Sequence, residues 1–199
     1  MLRLTFFVII LFLFSCKSNT EIGGEKNSAF VDNYQESKND TLAMQEVAYG
    51  FLSWYKYHYQ EANSFGLTYQ DKQGNFHVSM VNCEAYLGYL KSSGFISEKY
   101  INTWLQYFNE RATYFEQNLQ NEGPPEGFEL YYVLTNQEPE LVFDALTNLQ
   151  FEVFKIDETK ATLLVAAHWG YELQLSKTDG KWLIDNIVPL NYEVEEDDL

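Results

Sequence analysis

Histidine is scarce in this chain and cysteine scarcer: three and two in 199 residues, with only 13 Lys and Arg set against 29 Asp and Glu. The shortage of cations, and the formal net charge of −16, excludes nucleic acid as a partner, because phosphate binding runs on clustered Lys and Arg. It also excludes docking by charge on an anionic membrane face. Such a surface keeps a chain soluble, or steers basic partners and cations toward it. Gly-rich phosphate loops, Cys-x-x-Cys pairs, His-Glu-x-x-His helices and calcium-loop patterns are all missing. The motifs therefore assign no metal, no cofactor and no catalytic residue. Internal repeats and low-complexity blocks are absent too. What is plentiful is aromatic: 15 Tyr, 15 Phe and 4 Trp within a hydrophobic content of 46%, ample for the core of one domain with appendages.

Leu4 to Phe14 is a short apolar run behind the single positive charge of Arg3. A bilayer span takes about 17–25 residues; this length suits the core of a signal peptide. The run ends Leu13-Phe-Ser-Cys16, which resembles the lipobox of bacterial lipoproteins. The resemblance implies that 1–15 is a signal peptide and that Cys16 is lipidated and becomes the new N-terminus. The chain would then be anchored by its N-terminal lipid in the bacterial cell envelope, facing the periplasm. The alternative is an ordinary secretory signal with an incidental cysteine. If Cys16 carries lipid, Cys83 has no partner and the domain has no disulfide.

Residues 16–40 are polar and without sustained periodicity, and read as a flexible tether; 191–199, rich in acids, reads as a solvated tail. The folded domain is expected over 41–190. Met44, Val47, Ala48, Phe51, Leu52, Tyr55 and Tyr59 follow helical spacing and predict a helix near 42–62 with one buried stripe. Trp54 and Tyr57 fall off that stripe. A hairpin is expected around Asp71-Lys-Gln-Gly-Asn75. A short helix over 83–93 is expected to start at an Asn82 cap and stop at Gly94, with Cys83 an inert thiol on its inner face. Ser97 is expected to cap a third helix, 98–120, between the staple residues Ile96 and Ile101. On that helix Tyr100, Tyr107 and Tyr114 recur every seven residues, on the flank of its apolar stripe. With Trp54 and Tyr57 they form the candidate partner surface, set against a plain role in covering helix edges. Gly123-Pro-Pro-Glu-Gly127 reads as a stiff corner. Phe128 to Leu134 reads as a strand, and Pro139 to Leu146 as a short helix.

The segment from Phe151 to Pro189 reads as four strands in two consecutive hairpins. Asp179-Gly180 makes the second turn. Tyr171, Leu173 and Leu175 alternate with polar neighbours, whereas 161–167 is apolar on both faces and is expected to be covered on both. Leu164 and Phe154 on the sheet's outer face leave room for a homodimer. The expected fold is α+β, three N-terminal helices packed on a curved antiparallel sheet.

This order resembles the cone-shaped fold of nuclear transport factor two-like proteins. More narrowly, Phe51-Leu-Ser-Trp-Tyr55, the stretch from Tyr86 to Ser97 and Asp179-Gly-Lys-Trp-Leu-Ile-Asp-Asn-Ile187 resemble the domain of unknown function 3828 family of envelope lipoproteins. The resemblance implies no catalytic residues. Some cone-fold enzymes abstract protons with an Asp–His or Tyr–Asp pair, which makes His168, at a strand end, and Asp185, on the neighbouring hairpin, the candidates for acid–base work. Such a role needs hydrogen-bond reach and a perturbed pKa. The expected function is a non-catalytic binding module for an envelope protein or a small ligand. A small cavity enzyme and a periplasmic immunity or inhibitor protein are the alternatives.

Overall fold

The computed structural model describes residues 24–135, 138–166 and 169–190. Two units divide the chain, 1–37 and 38–199. Helix α1 is Gly24–Ala62. It begins well inside the stretch expected to be a tether. The residues ahead of Thr41 contain no proline, so no missing N–H breaks the helix there.

Packing in the second unit starts from the predicted stripe. Met44, Ala48, Phe51, Leu52 and Tyr55 are all buried. Strands β1 (Thr68–Gln70) and β2 (Phe76–Val78) form the expected hairpin. Helix α2 is Met80–Lys91, so the Asn82 cap is corrected. The first helical bond runs from Cys83 N–H to Ser79 O at 2.9 Å, and Asn82 Nδ2 instead donates to Gly66 O at 2.9 Å. Helix α3 is Glu98–Gln117, with Ser97 Oγ accepting from Tyr100 N–H at 3.2 Å as predicted.

The expected strand at 128–134 is also corrected. This stretch runs through a bend and a single bridge residue, Tyr131, into a turn, closed by Thr135 N–H donating to Tyr131 O at 2.6 Å. Phe128 and Tyr132 meet at helical spacing, 5.7 Å between rings, and Val133 and Leu134 are fully buried. Their apolar character serves the core, not a sheet. Helix α4, Pro139–Asp144, continues as a 3-10 turn over Ala145–Asn148.

Strands β3 (Gln150–Ile156), β4 (Lys160–Ala166), β5 (Gly170–Thr178) and β6 (Lys181–Pro189) make an antiparallel meander in the order β3-β4-β5-β6. Asp179 and Gly180 have φ of 51° and 77°, the double positive φ that a two-residue hairpin turn requires. One face of the sheet is dry: Leu163, Val165, Tyr171, Leu173, Trp182 and Ile184 are buried in a core shared with the helices. The other face is not covered as expected. Leu164 is only half-buried, lying in register between Glu152 and Glu172, and Phe154 is 72% exposed.

Two bulges shape the sheet. Phe154 is the extra residue of β3, between the pairs Val153–Leu163 and Lys155–Thr162. Asp185 is the extra residue of β6, between the pairs Gln174–Asn186 and Leu175–Ile184. Each re-aims its side chain and bends the strand. The outer edge of β6 is covered by the chain before α3: Ile184 N–H donates to Phe95 O, and Ser97 N–H to Ile184 O, both at 2.9 Å. That closes an edge otherwise open to pairing.

Candidate functional site

Helix α3 ends below the Gly-Pro-Pro corner, and that corner fixes the turn segment 127–135 against the helix. Gln120 holds the corner from inside: its Nε2 donates to Glu122 O and Pro124 O, and its Oε1 accepts from Glu126 N–H. Gly127 follows at φ +85°, and a Cβ there would stand 2.6 Å from the Tyr107 hydroxyl. Only glycine fits that position. In return Tyr107 and Tyr132 both donate their hydroxyls to Gly127 O, at 2.8 and 3.2 Å. Burial pushes both phenols above their ordinary range.

Pinned in this way, the segment stands between two clefts of about 410 Å³ each. The first, between α3 and the end of β6, is chiefly apolar, with Trp104, Tyr107, Leu130, Tyr132, Ile187 and Val188 among its walls. Trp104 packs edge-on to Tyr107 and Tyr132, at 5.4 and 5.3 Å between centroids. Thr135 lines this cleft too; it is β-branched at φ +48°, and its hydroxyl has no partner among the described residues. Such a backbone persists only where its surroundings over-determine it. The second cleft opens on the other side of the segment, toward the end of α1, with Tyr86 and Tyr131 in its wall. Glu129 and Leu130 line both. Glu129 Oε2 accepts from Gly127 N–H at 2.8 Å, which fixes an acid at the shared rim.

The predicted site residues separate. Tyr100 is buried in the core, 1% exposed, and so is not part of a partner surface. Tyr107 is a cleft wall. Tyr114 donates to Glu126 Oε2 at 2.8 Å and lies under Arg111, tying the corner down. Trp54 is half-buried, stacked on His58 at 4.4 Å and against Tyr89. Tyr57 stands 81% exposed. Asp185 is buried, its oxygens taken by Ser176 Oγ at 2.8 Å and Lys99 Nζ at 3.4 Å. His168 and Cys16 lie outside the described residues, and so does the pairing of His168 with Asp185. Cys83 is buried, and burial, then the nearby Glu84, pushes its thiol up to about 12, far from a nucleophile's range.

Among the described residues no group of His, Cys, Asp and Glu is arranged to hold a metal ion, and no helix is long and apolar enough to cross a membrane. Sequence reasoning missed the clefts because it read 128–134 as a strand. The signal available was the Phe128–Tyr132 spacing beside Gly127. Compared with known proteins, the chain matches no family model, no curated protein and no solved structure.

Proposed function

We propose that this chain is a lipid-anchored bacterial envelope protein whose domain is a non-catalytic binding module, with the aromatic cleft between α3 and β6 as its ligand site. Membership of the domain of unknown function 3828 family belongs to the same proposal and rests on the motifs at 51–55, 86–97 and 179–187. The observation that carries the binding role is the cleft itself. A concavity of about 410 Å³ walled by Trp104, Tyr107, Leu130 and Ile187, with few polar groups converging on it, has the size and character of a small-molecule pocket. Two of its walls, Tyr107 and Tyr132, are held by hydrogen bonds to the Gly127 carbonyl, so they need little ordering when a ligand enters.

Nile red, an uncharged apolar dye, tests this on the full chain. Saturable enhancement of its emission is expected, weakened about tenfold or more in Val188→Asp, which sets a charge in this cleft alone. Tyr57→Asp, far out on α1, is expected to leave binding unchanged. Absence of saturable binding, or equal binding by Val188→Asp, would overturn the reading.

A further inference from the structure

Charge is distributed one-sidedly around the aromatic cleft. Among the described residues that line it, Glu129 is the one side chain with a formal charge. Its position is fixed, since Oε2 accepts from Gly127 N–H at 2.8 Å. The phenols of Tyr107 and Tyr132, raised first by burial, are raised further by the Glu129 charge. The carboxylate therefore acts on the cleft wall itself. Arg111 works against this at Tyr107, but its guanidinium is turned to the corner. There Nη1 lies 3.4 Å from Glu126 Oε1, and the group stands over the Tyr114 ring at 4.3 Å.

Trp104, Tyr107 and Tyr132, all half-buried, complete the walls. Aromatic rings carry negative charge on their faces and draw a cation toward them. An anion is repelled by the same rings and by Glu129, while the net charge of −16 enriches cations around the whole chain. A primary ammonium fits poorly. It needs three acceptors when it leaves water, and the Gly127 carbonyl in the wall already accepts from two phenols. A quaternary ammonium carries its charge beneath methyl groups and needs no acceptor. Those methyls suit the apolar surface of Leu130 and Ile187.

We propose that the ligand of the aromatic cleft is a small organic cation, a quaternary ammonium held by the rings of Trp104, Tyr107 and Tyr132 and by the Glu129 carboxylate. This rests on the reading of that cleft as a ligand site and names the chemical class it takes.

The test titrates three probes of similar size on the full chain by NMR, following the tryptophan indole signals. They are choline, neohexyl alcohol (its uncharged carbon isostere) and pivalate, an anion. Choline is expected to bind about fivefold more tightly than the alcohol, or better, and to displace Nile red. Pivalate is expected to bind least. In Glu129→Gln the amide oxygen can still accept from Gly127 N–H, so the change removes charge and keeps the hydrogen bond. Choline's advantage is expected to fall about threefold or more in that variant, with Nile red bound as before. The proposal is overturned, and the ligand-site reading left standing, if Nile red binds but choline binds no better than the alcohol. Tightest binding of pivalate, choline bound without displacing Nile red, or an undiminished preference in Glu129→Gln overturns it equally. Absence of saturable Nile red binding to the unaltered chain is the separate failure of the ligand-site reading, and this proposal falls with it.

Discussion

At the scale of single residues, Trp182 and Asp40 make one unit. Asp40 Oδ1 accepts from Trp182 Nε1 at 2.9 Å and from Lys177 Nζ at 2.7 Å, so a carboxylate on α1 holds the hairpin of β5 and β6. Burial pushes the Asp40 carboxyl up, but the two hydrogen bonds and the Lys177 charge together outweigh it, and the net direction is down. Its stabilisation is therefore complete above its ordinary value near 3.8 and is lost as pH falls below it. Asp40→Ala is expected to cost about 1.5–3 kcal/mol in denaturant unfolding near neutral pH, because it strands a buried indole N–H and an ammonium. Trp182→Ala removes the largest fully buried side chain, and roughly 3–5 kcal/mol is expected; a melt shifted by less than about two degrees would contradict that. Asp71 behaves alike at the surface. The hydrogen bond from His77, assisted by Asn75 and Gln73, holds its carboxyl down at about 2. A carbon-detected titration should find that midpoint, moving toward 3.8 in His77→Ala, and protection of the β1–β2 hairpin should fade as pH falls toward 2.

At the scale of elements, two junctions position the rest. Ser97 ends the chain that closes the β6 edge and caps α3 with the same residue. Ser97→Ala is expected to cost about 1 kcal/mol, read from chemical denaturation. Gly127→Ala forces a side chain into φ +85° against Tyr107. It is expected to destabilise by more than about 1 kcal/mol and to weaken Nile red binding together with stability. Elements whose signals are local were legible in the sequence: the α1 stripe, the Ser97 cap, the Asp179-Gly180 turn and the alternation in β5 each follow from neighbours a few residues apart. The failures were non-local. The 128–134 stretch is apolar because Val133 and Leu134 enter a core built by distant elements, and its one short-range signal against a strand is the Phe128–Tyr132 spacing beside Gly127. Asp185 leaves the alternation of β6 through a bulge, which sequence parity cannot locate. Tyr100, read as flank, is core because α3 buries Tyr100, Phe108 and Phe115, a face turned from the expected stripe toward the tyrosines.

At the scale of the whole molecule, the proposed anchoring has to hold an acidic chain at a lipid surface. The physical means include a span, a charged face, an amphipathic helix, a membrane-bound partner and a covalent lipid. Among the described residues no helix qualifies as a span, and a net charge of −16 is repelled by anionic headgroups. The proposal puts the attachment in the lipid on Cys16, each buried methylene contributing about 0.8 kcal/mol and more than one acyl chain needed for a stable hold. On this proposal Cys16→Ala is expected to release the protein, with the melting of the domain unchanged because Cys16 lies outside the unit of 38–199. Fractionation of cells before and after an alkaline wash measures this. Protein of the variant still sedimenting with membranes after the wash would require another attachment, and the anchored reading would have to be given up.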